Sequence, residues 1–241
     1  PDELNTLRAI ARDLTLHSVY DLTWQREWTE LLAEDSATIE DPCGSTGERI
    51  AGIWCERGHV VSIYLKYLGI EGTISPAFGQ LTELRDLSLS GSYPNFPGLS
   101  GTIPPELCAL TKLRSFTVDN NVLTDWADCF GTRQTQLVYL QADHNRFARL
   151  PSGLGAATEL IYLVASRTDI AEMPTWVSSL NKLIIVDLSQ ARLAGALATL
   201  NFTGDQLVEL RLNDNQLSGS IPSTFLAGVP HLSILALSRN L

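Results

Sequence analysis

Apolar and polar positions in this chain alternate in a short phrase that returns at a near-constant interval. At its clearest the phrase reads LVELRLNDNQLSGSIP, from Leu207 to Pro222. Leucines stand at 207, 210, 212 and 217, an asparagine at 215, a glycine at 219 and Ile-Pro at 221–222. The leading leucine recurs at Leu84, Leu113, Leu137, Leu160, Leu183, Leu207 and Leu232, and a divergent unit opens at Val60. The intervals are 23 to 25 residues, except for 29 between Leu84 and Leu113, where about five residues are inserted within the run SGSYPNFPG. In the Leu-x-Leu core, alternation sends the leucines to one face of a short strand and the intervening residues to the other. No single unit can close a core, so stacked units must bury one continuous column and pair their strands in parallel.

The asparagines Asn121, Asn145, Asn215 and Asn240 fall where the chain leaves each strand. A buried amide there can satisfy turn backbone groups that would otherwise go unpaired. Ser92, Thr168 and Ala191 take that place in other units. Ala191 has no side-chain hydrogen bond to offer, which predicts a weaker turn. The pattern predicts about eight coils over residues 59–241, the last one truncated and without a C-terminal cap. A chain that stops just after the ladder asparagine of the eighth coil, Asn240, reads as a piece of a longer protein.

Residues 1–58 do not follow the phrase. Leu4, Leu7, Ile10, Ala11 and Leu14 recur at helical spacing, and a second run from Leu22 to Leu32 carries Trp24 and Trp28. Asp41-Pro42-Cys43 breaks that pattern, and Ile53-Trp54-Cys55 leads toward the first strand. Helices and paired cysteines at this end would cover the bare edge of the first coil.

These residues carry a family resemblance. The phrases at Leu84–Pro104 and Leu207–Pro222 resemble the LxxLxLxxNxLxGxIP repeat of the extracellular, plant-type leucine-rich repeat family. Val60–Pro76 matches more loosely, with Ser75 between Ile and Pro. The segment Asp41-Pro42-Cys43, Trp54 and Cys55 resembles that family's N-terminal cap. The family includes receptor-like proteins, receptor kinase ectodomains and polygalacturonase-type inhibitors. The resemblance implies an α/β solenoid, a right-handed leucine-rich repeat superhelix with a parallel concave β-sheet and a helical, disulfide-linked cap. It also implies a Cys43–Cys55 bridge. Cys108 and Cys129, 21 residues apart, either bridge neighbouring coils or remain buried thiols. The units at Leu137 and Leu160 depart from the phrase: they end in Leu-Pro and Met-Pro without the glycine, and the unit at Leu113 has Asp125 in the glycine's place.

Composition narrows the function. A hydrophobic fraction of 44% argues for a folded domain, and a net charge of −10 argues against nucleic acid or an anionic membrane surface as partner. No apolar run reaches the roughly 18 residues of a membrane helix, so a membrane would be met only through a segment outside this chain. An even cysteine count fits an oxidising, extracellular or cell-surface setting. Asn201-Phe202-Thr203 is a glycosylation sequon, with a chance tripeptide as the alternative. No phosphate-binding glycine loop, nucleophile elbow or metal-type cluster is present, and no cofactor or enzymatic activity is expected. Asp119, Asp143 and His144 could form a polar cluster across two coils, with a solvated surface as the plainer alternative.

The outward strand positions form ladders across coils. Tyr139, Tyr162, Val164 and Ile185 fall together on three consecutive strands, and Asp119, Asp143, His144, Arg167, Asp187 and Arg211 would rim them. An apolar patch with a charged rim is a common interface pattern. Tyr93 and Phe96, in the inserted loop, are further contact candidates. The expected function is extracellular recognition of a protein or peptide ligand through the concave face, as the ectodomain of a receptor or receptor-like protein. The alternatives are a secreted hydrolase inhibitor and a structural or adhesive surface protein, and a carbohydrate ligand stays open.

Overall fold

A computed structural model describes residues 2–16, 28, 41–43, 50–66, 68–91, 97–197, 202, 205–222 and 225–241. Its main feature is a nine-stranded sheet. Ile53–Glu56 lies at one edge, antiparallel to His59–Tyr64. Then follow, all parallel, Asp86–Ser88, Ser115–Thr117, Tyr139–Gln141, Tyr162–Val164, Ile185–Asp187, Glu209–Arg211 and Ile234–Ala236. In the seven strands from His59–Tyr64 to Glu209–Arg211 the inward residue is buried: Ile63, Leu87, Phe116, Leu140, Leu163, Val186 and Leu210. This is a leucine-rich repeat solenoid, one strand per coil, in the register set by the leucine spacing.

The opposite flank depends on how each unit ends. Where a glycine follows the ladder residue, a second strand forms: Ile70–Thr73, Leu99–Ile103, Ala194–Ala196 and Gln216–Ser218. Gly72, Gly101 and Gly195 in these strands, and Gly219 just after the last, have φ between 80° and 116°, a region open to glycine and strained for other residues. Val122–Trp126 forms such a strand without the glycine. The 23-residue units at Leu137 and Leu160 have no second strand, so the flank divides into a four-stranded and a two-stranded sheet. Short 3₁₀ turns, Pro76–Gln80, Pro105–Ala109, Ser152–Ala156 and Thr175–Ser179, complete the coils. In place of leucine, Phe116 joins Trp126, Phe130 and Phe147, with ring centroids 4.6 to 6.3 Å apart, to fill the core of the third and fourth coils.

Each asparagine clamps its own coil to the one before. The Asn121 amide donates to the Val118 carbonyl of its own coil and to Leu89 of the previous one, both at 2.9 Å, and its oxygen accepts from Leu99 N–H at 2.8 Å. Asn145 repeats this with Ala142, Val118 and Leu123, Asn215 with Leu212, Leu188 and Leu193, and Asn240 with Leu237, Leu212 and Leu217. Thr168 donates only within its own coil, to Ala165 at 2.9 Å, and Ala191 has no side-chain polar group. Ser92, assigned the same role from the sequence, lies outside the described residues.

At the N-terminus a helix spans Glu3–Asp13, capped by Asp2, whose carboxylate accepts from Leu4 and Asn5 N–H. It buries Leu7, Ile10 and Ala11 against the first coil. The Glu3 carboxylate accepts from Val60 N–H at 2.8 Å, and Thr6 donates to Gln80. Leu14–Leu16 then pairs antiparallel with Ile70–Thr73, covering the edge of the flank sheet. Ser75, the departure from Ile-Pro, caps the first 3₁₀ turn and donates to Asp13 at 2.5 Å, so it ties the helix to the coil. Trp28 is buried and donates to the Ala51 carbonyl; the rest of the expected second helix lies outside the described residues. The bridge Cys43–Cys55 forms, and Cys108–Cys129 forms as well, with Cα atoms 5.9 Å apart.

The clamp predicts opposite effects at two sites. Asn145→Ala leaves buried groups of two coils unpaired and should lower stability by about 2–4 kcal/mol, at about 1–3 kcal/mol for each unsatisfied group. Ala191→Asn should raise the thermal midpoint by restoring a clamp. Denaturant titration and thermal melting of the two variants check both signs.

Candidate functional site

The outward ladders occupy the concave face in the register expected. Ser62 pairs with Asp86, Asp86 with Ser115, Ser115 with Tyr139, Tyr139 with Tyr162, Tyr162 with Ile185 and Ile185 with Glu209. Tyr139, Tyr162, Val164 and Ile185 are all half-buried and adjacent. The two tyrosine rings sit 5.7 Å apart, tilted by 52°. The Tyr139 hydroxyl donates to Gln141 at 2.8 Å, which holds this ring along its strand.

The rim residues divide into two groups. At the downstream strand ends, Ser90 donates to Asp119 at 2.5 Å and Asn120 donates to its other oxygen at 2.7 Å. On the next coil Asp143 is buried, with Oδ1 lacking any partner and Oδ2 2.6 Å from His144 Nδ1. Arg167 lies 2.8 Å from His144 Nε2. A guanidinium can only donate, so Nε2 accepts and the imidazole proton sits on Nδ1, donating to Asp143. Asp143, His144 and Arg167 therefore form one chain across two coils, with Asp119 beside it. The second group is Arg211, which pairs with Glu209 and lies 3.7 Å from Asp187. The structure thus brings the rim residues beside the aromatic patch, in two separate networks. Tyr93, Phe96 and Asn201 lie outside the described residues.

Backbone geometry explains why the chain His144–Arg167 forms. The residue before each ladder asparagine position is left-handed: Asn120, His144, Arg167, Gln190, Asp214 and Arg239 have φ between 51° and 58°. None of the six is β-branched, as that conformation requires. The turn holds these side chains in a row over the downstream end of the sheet.

Sequence reasoning missed one exposed feature. Trp54, read only as part of the cap, pairs with Ser62 on the concave side and is 51% exposed. Its ring meets Tyr64 edge-on at 5.2 Å. The Cys55-Glu56-Arg57-Gly58-His59 segment could have revealed it. Arg57 and Gly58 both have positive φ, the pattern of a two-residue hairpin turn that folds Trp54 back beside Ser62.

Burial lifts the Asp119 carboxyl above the ordinary carboxylate range; hydrogen bonds from Ser90 and Asn120 oppose the lift, and nearby Asp143 adds to it. A raised carboxyl favours the protonated fold, so this contribution is present at low pH and lost as pH rises through the folded value. Asp119→Asn stays neutral throughout. Its stability relative to the unsubstituted chain should increase between about pH 4 and about pH 7, which denaturant titrations at both pH values will show.

Among the described residues, no group of three or more His, Cys, Asp or Glu is placed to hold a metal ion, and no helix is long and apolar enough to cross a membrane. A leucine-rich repeat family model matches residues 206–227. No curated protein matches the chain. Solved structures do. The ectodomain of the Arabidopsis thaliana receptor kinase GASSHO1/SCHENGEN3, in complex with CASPARIAN STRIP INTEGRITY FACTOR 2, is 22% identical with a TM-score of 0.69, covering 99% of this chain and 29% of that one. The Arabidopsis receptor kinase HAESA, in complex with the peptide hormone IDA and a co-receptor, is 21% identical with a TM-score of 0.65, covering 99% and 42%. An internalin from Listeria monocytogenes is 27% identical with a TM-score of 0.58, covering 70% and 46%. The chain spans less than half the length of each of these three.

Proposed function

We propose that this leucine-rich repeat solenoid, similar in fold to plant receptor kinase ectodomains, is an extracellular recognition module that binds a protein or peptide through its concave face. The observation that carries this reading is the patch of Tyr139, Tyr162, Val164 and Ile185, half-buried on three adjacent strands of a fixed sheet. Tyrosines offer large contact area with few rotatable bonds, and a preformed sheet loses little entropy when it binds. The patch stands between two polar networks, Asp143–His144–Arg167 and Arg211–Glu209, which suits an apolar centre with a polar rim. Two disulfides fit an oxidising setting outside the cell or at its surface. The likeness to ectodomains solved with peptide ligands points to the same ligand class. The role is binding rather than catalysis, and the module would serve as the ectodomain of a receptor or receptor-like protein. The boundary between an N-terminal cap, 1–58, and repeats, 59–241, belongs to the same reading. So does attachment of a glycan at Asn201, and so do contacts from Tyr93 and Phe96.

Selection of a displayed library of random dodecapeptides on the immobilised chain tests the reading. Enriched peptides should bind the Tyr139→Ala/Tyr162→Ala variant at least tenfold more weakly, a loss of about 1.4 kcal/mol or more. Peptides that bind the double variant as well as the unsubstituted chain would place recognition elsewhere.

A further inference from the structure

The concave face carries a second aromatic position at its N-terminal edge, and the charge between the two is unbalanced. Trp54 is exposed at 51%, and it sits beside a β-bulge at Trp54/Cys55. Bulges re-aim side chains; here Trp54 stands on the outward row that continues through Ser62, Asp86, Ser115 and Tyr139. Tyr64 supports the indole edge-on. Burial raises the Tyr64 hydroxyl and the charge of Asp86 adds to that lift, so Asp86 lies close to the Tyr64 ring.

Asp86 accepts a hydrogen bond from Ser62 at 2.7 Å. Among the described residues it has no lysine or arginine at ion-pair distance, and neither do Asp119 and Asp143. The acids of the later coils are paired: Glu209 and Asp187 with Arg211, and Asp214 with Arg239. Asp86 and Asp119 thus lie between the two aromatic positions with no lysine or arginine at ion-pair distance among the described residues, in a chain whose net charge is −10.

The spacing selects the shape of the occupant. Four strand steps separate the Trp54 strand from the Tyr139 strand. At about 4.8 Å per step that is roughly 19 Å, the length of about six residues of extended chain. We infer that Trp54 with Tyr64 is a second subsite of the concave face, and that the ligand is one extended peptide segment with two apolar side chains about six residues apart and an arginine or lysine between them. One apolar side chain packs on Trp54, the other on Tyr139 and Tyr162, and the cation meets Asp86. A guanidinium there also reaches the Trp54 ring for a cation–π contact. This rests on the peptide-binding reading above and adds the subsite, the spacing and the charge.

The dodecapeptide selection tests it, with Trp54→Ala and Asp86→Lys added. Trp54 is exposed, so Trp54→Ala should keep the far-ultraviolet circular dichroism and thermal midpoint of the unsubstituted chain. Peptides selected on the unsubstituted chain should share two apolar positions about six residues apart with a basic residue between. They should bind Trp54→Ala and Asp86→Lys each about tenfold or more weakly, and selection on Trp54→Ala should lose one apolar position. If Tyr139→Ala/Tyr162→Ala abolishes binding while Trp54→Ala and Asp86→Lys leave it intact, the second subsite is wrong and the concave patch stands. If no peptide is enriched, or none of the variants matters, both readings fall. Binding of neutral oligosaccharides on an array, lost in Trp54→Ala, would make this a saccharide subsite and overturn the peptide assignment.

Discussion

The asparagine clamp is the constraint on which the solenoid depends. A parallel sheet with one three-residue strand per coil has few backbone bonds to hold each coil to the next. The ladder asparagine adds a donor and an acceptor across that joint and satisfies turn carbonyls that face the core, out of reach of water. The residue before each of these asparagines is left-handed. For residues other than glycine that conformation costs about 1–2 kcal/mol, which the buried amide bonds offset. The left-handed residue recurs in every coil from Asn120 to Arg239, and the clamp joins it wherever the next residue is asparagine, at Asn121, Asn145, Asn215 and Asn240.

That device also sets what the face can display. The left-handed position excludes β-branched residues but accepts any flexible polar one, so His144, Arg167, Gln190, Asp214 and Arg239 vary without disturbing the fold. The strand rows are similarly free, because alternation keeps their side chains out of the core. Chemistry is thus written onto two sets of positions that the leucine column leaves open. A buried carboxylate such as Asp143, with one oxygen unpartnered, survives at the junction because the backbone there is held by the clamp at Asn145.

Much of this was legible in the residues. Leucine and asparagine spacing defined the strands, their register and the outward rows, so Tyr139 and Tyr162 could be placed side by side before any coordinates. What escaped depended on contacts that spacing does not encode. Nothing in the 21-residue gap between Cys108 and Cys129 states that two turns bring their Cα atoms to 5.9 Å. The loss of the flank strand in the 23-residue units is a consequence of a missing residue that the concave pattern does not register. Trp54 was hidden because the hairpin that carries it is antiparallel and bulged, outside the period that governs the rest of the chain.

The tyrosine pair has a purely structural alternative, and magnitudes decide against it as a sufficient explanation. The coils that open at Leu160 and Leu183 carry Thr168 and Ala191 in place of the clamp, and Tyr162 and Ile185 stand on those coils. If the aromatic pair were there to replace the clamp, it would have to match it. A cross-strand pair contributes about 0.2–1 kcal/mol, whereas the clamp makes several buried hydrogen bonds at about 0.5–1.5 kcal/mol each. The pair also joins Tyr139 to Tyr162, the joint between the coils of Asn145 and Thr168, and does nothing for the joint at Ala191. The unclamped stretch is instead held by its inward column of Leu163, Val186 and Leu188 and by unbroken strand pairing. The tyrosine pair is therefore not explained as a substitute for the clamp.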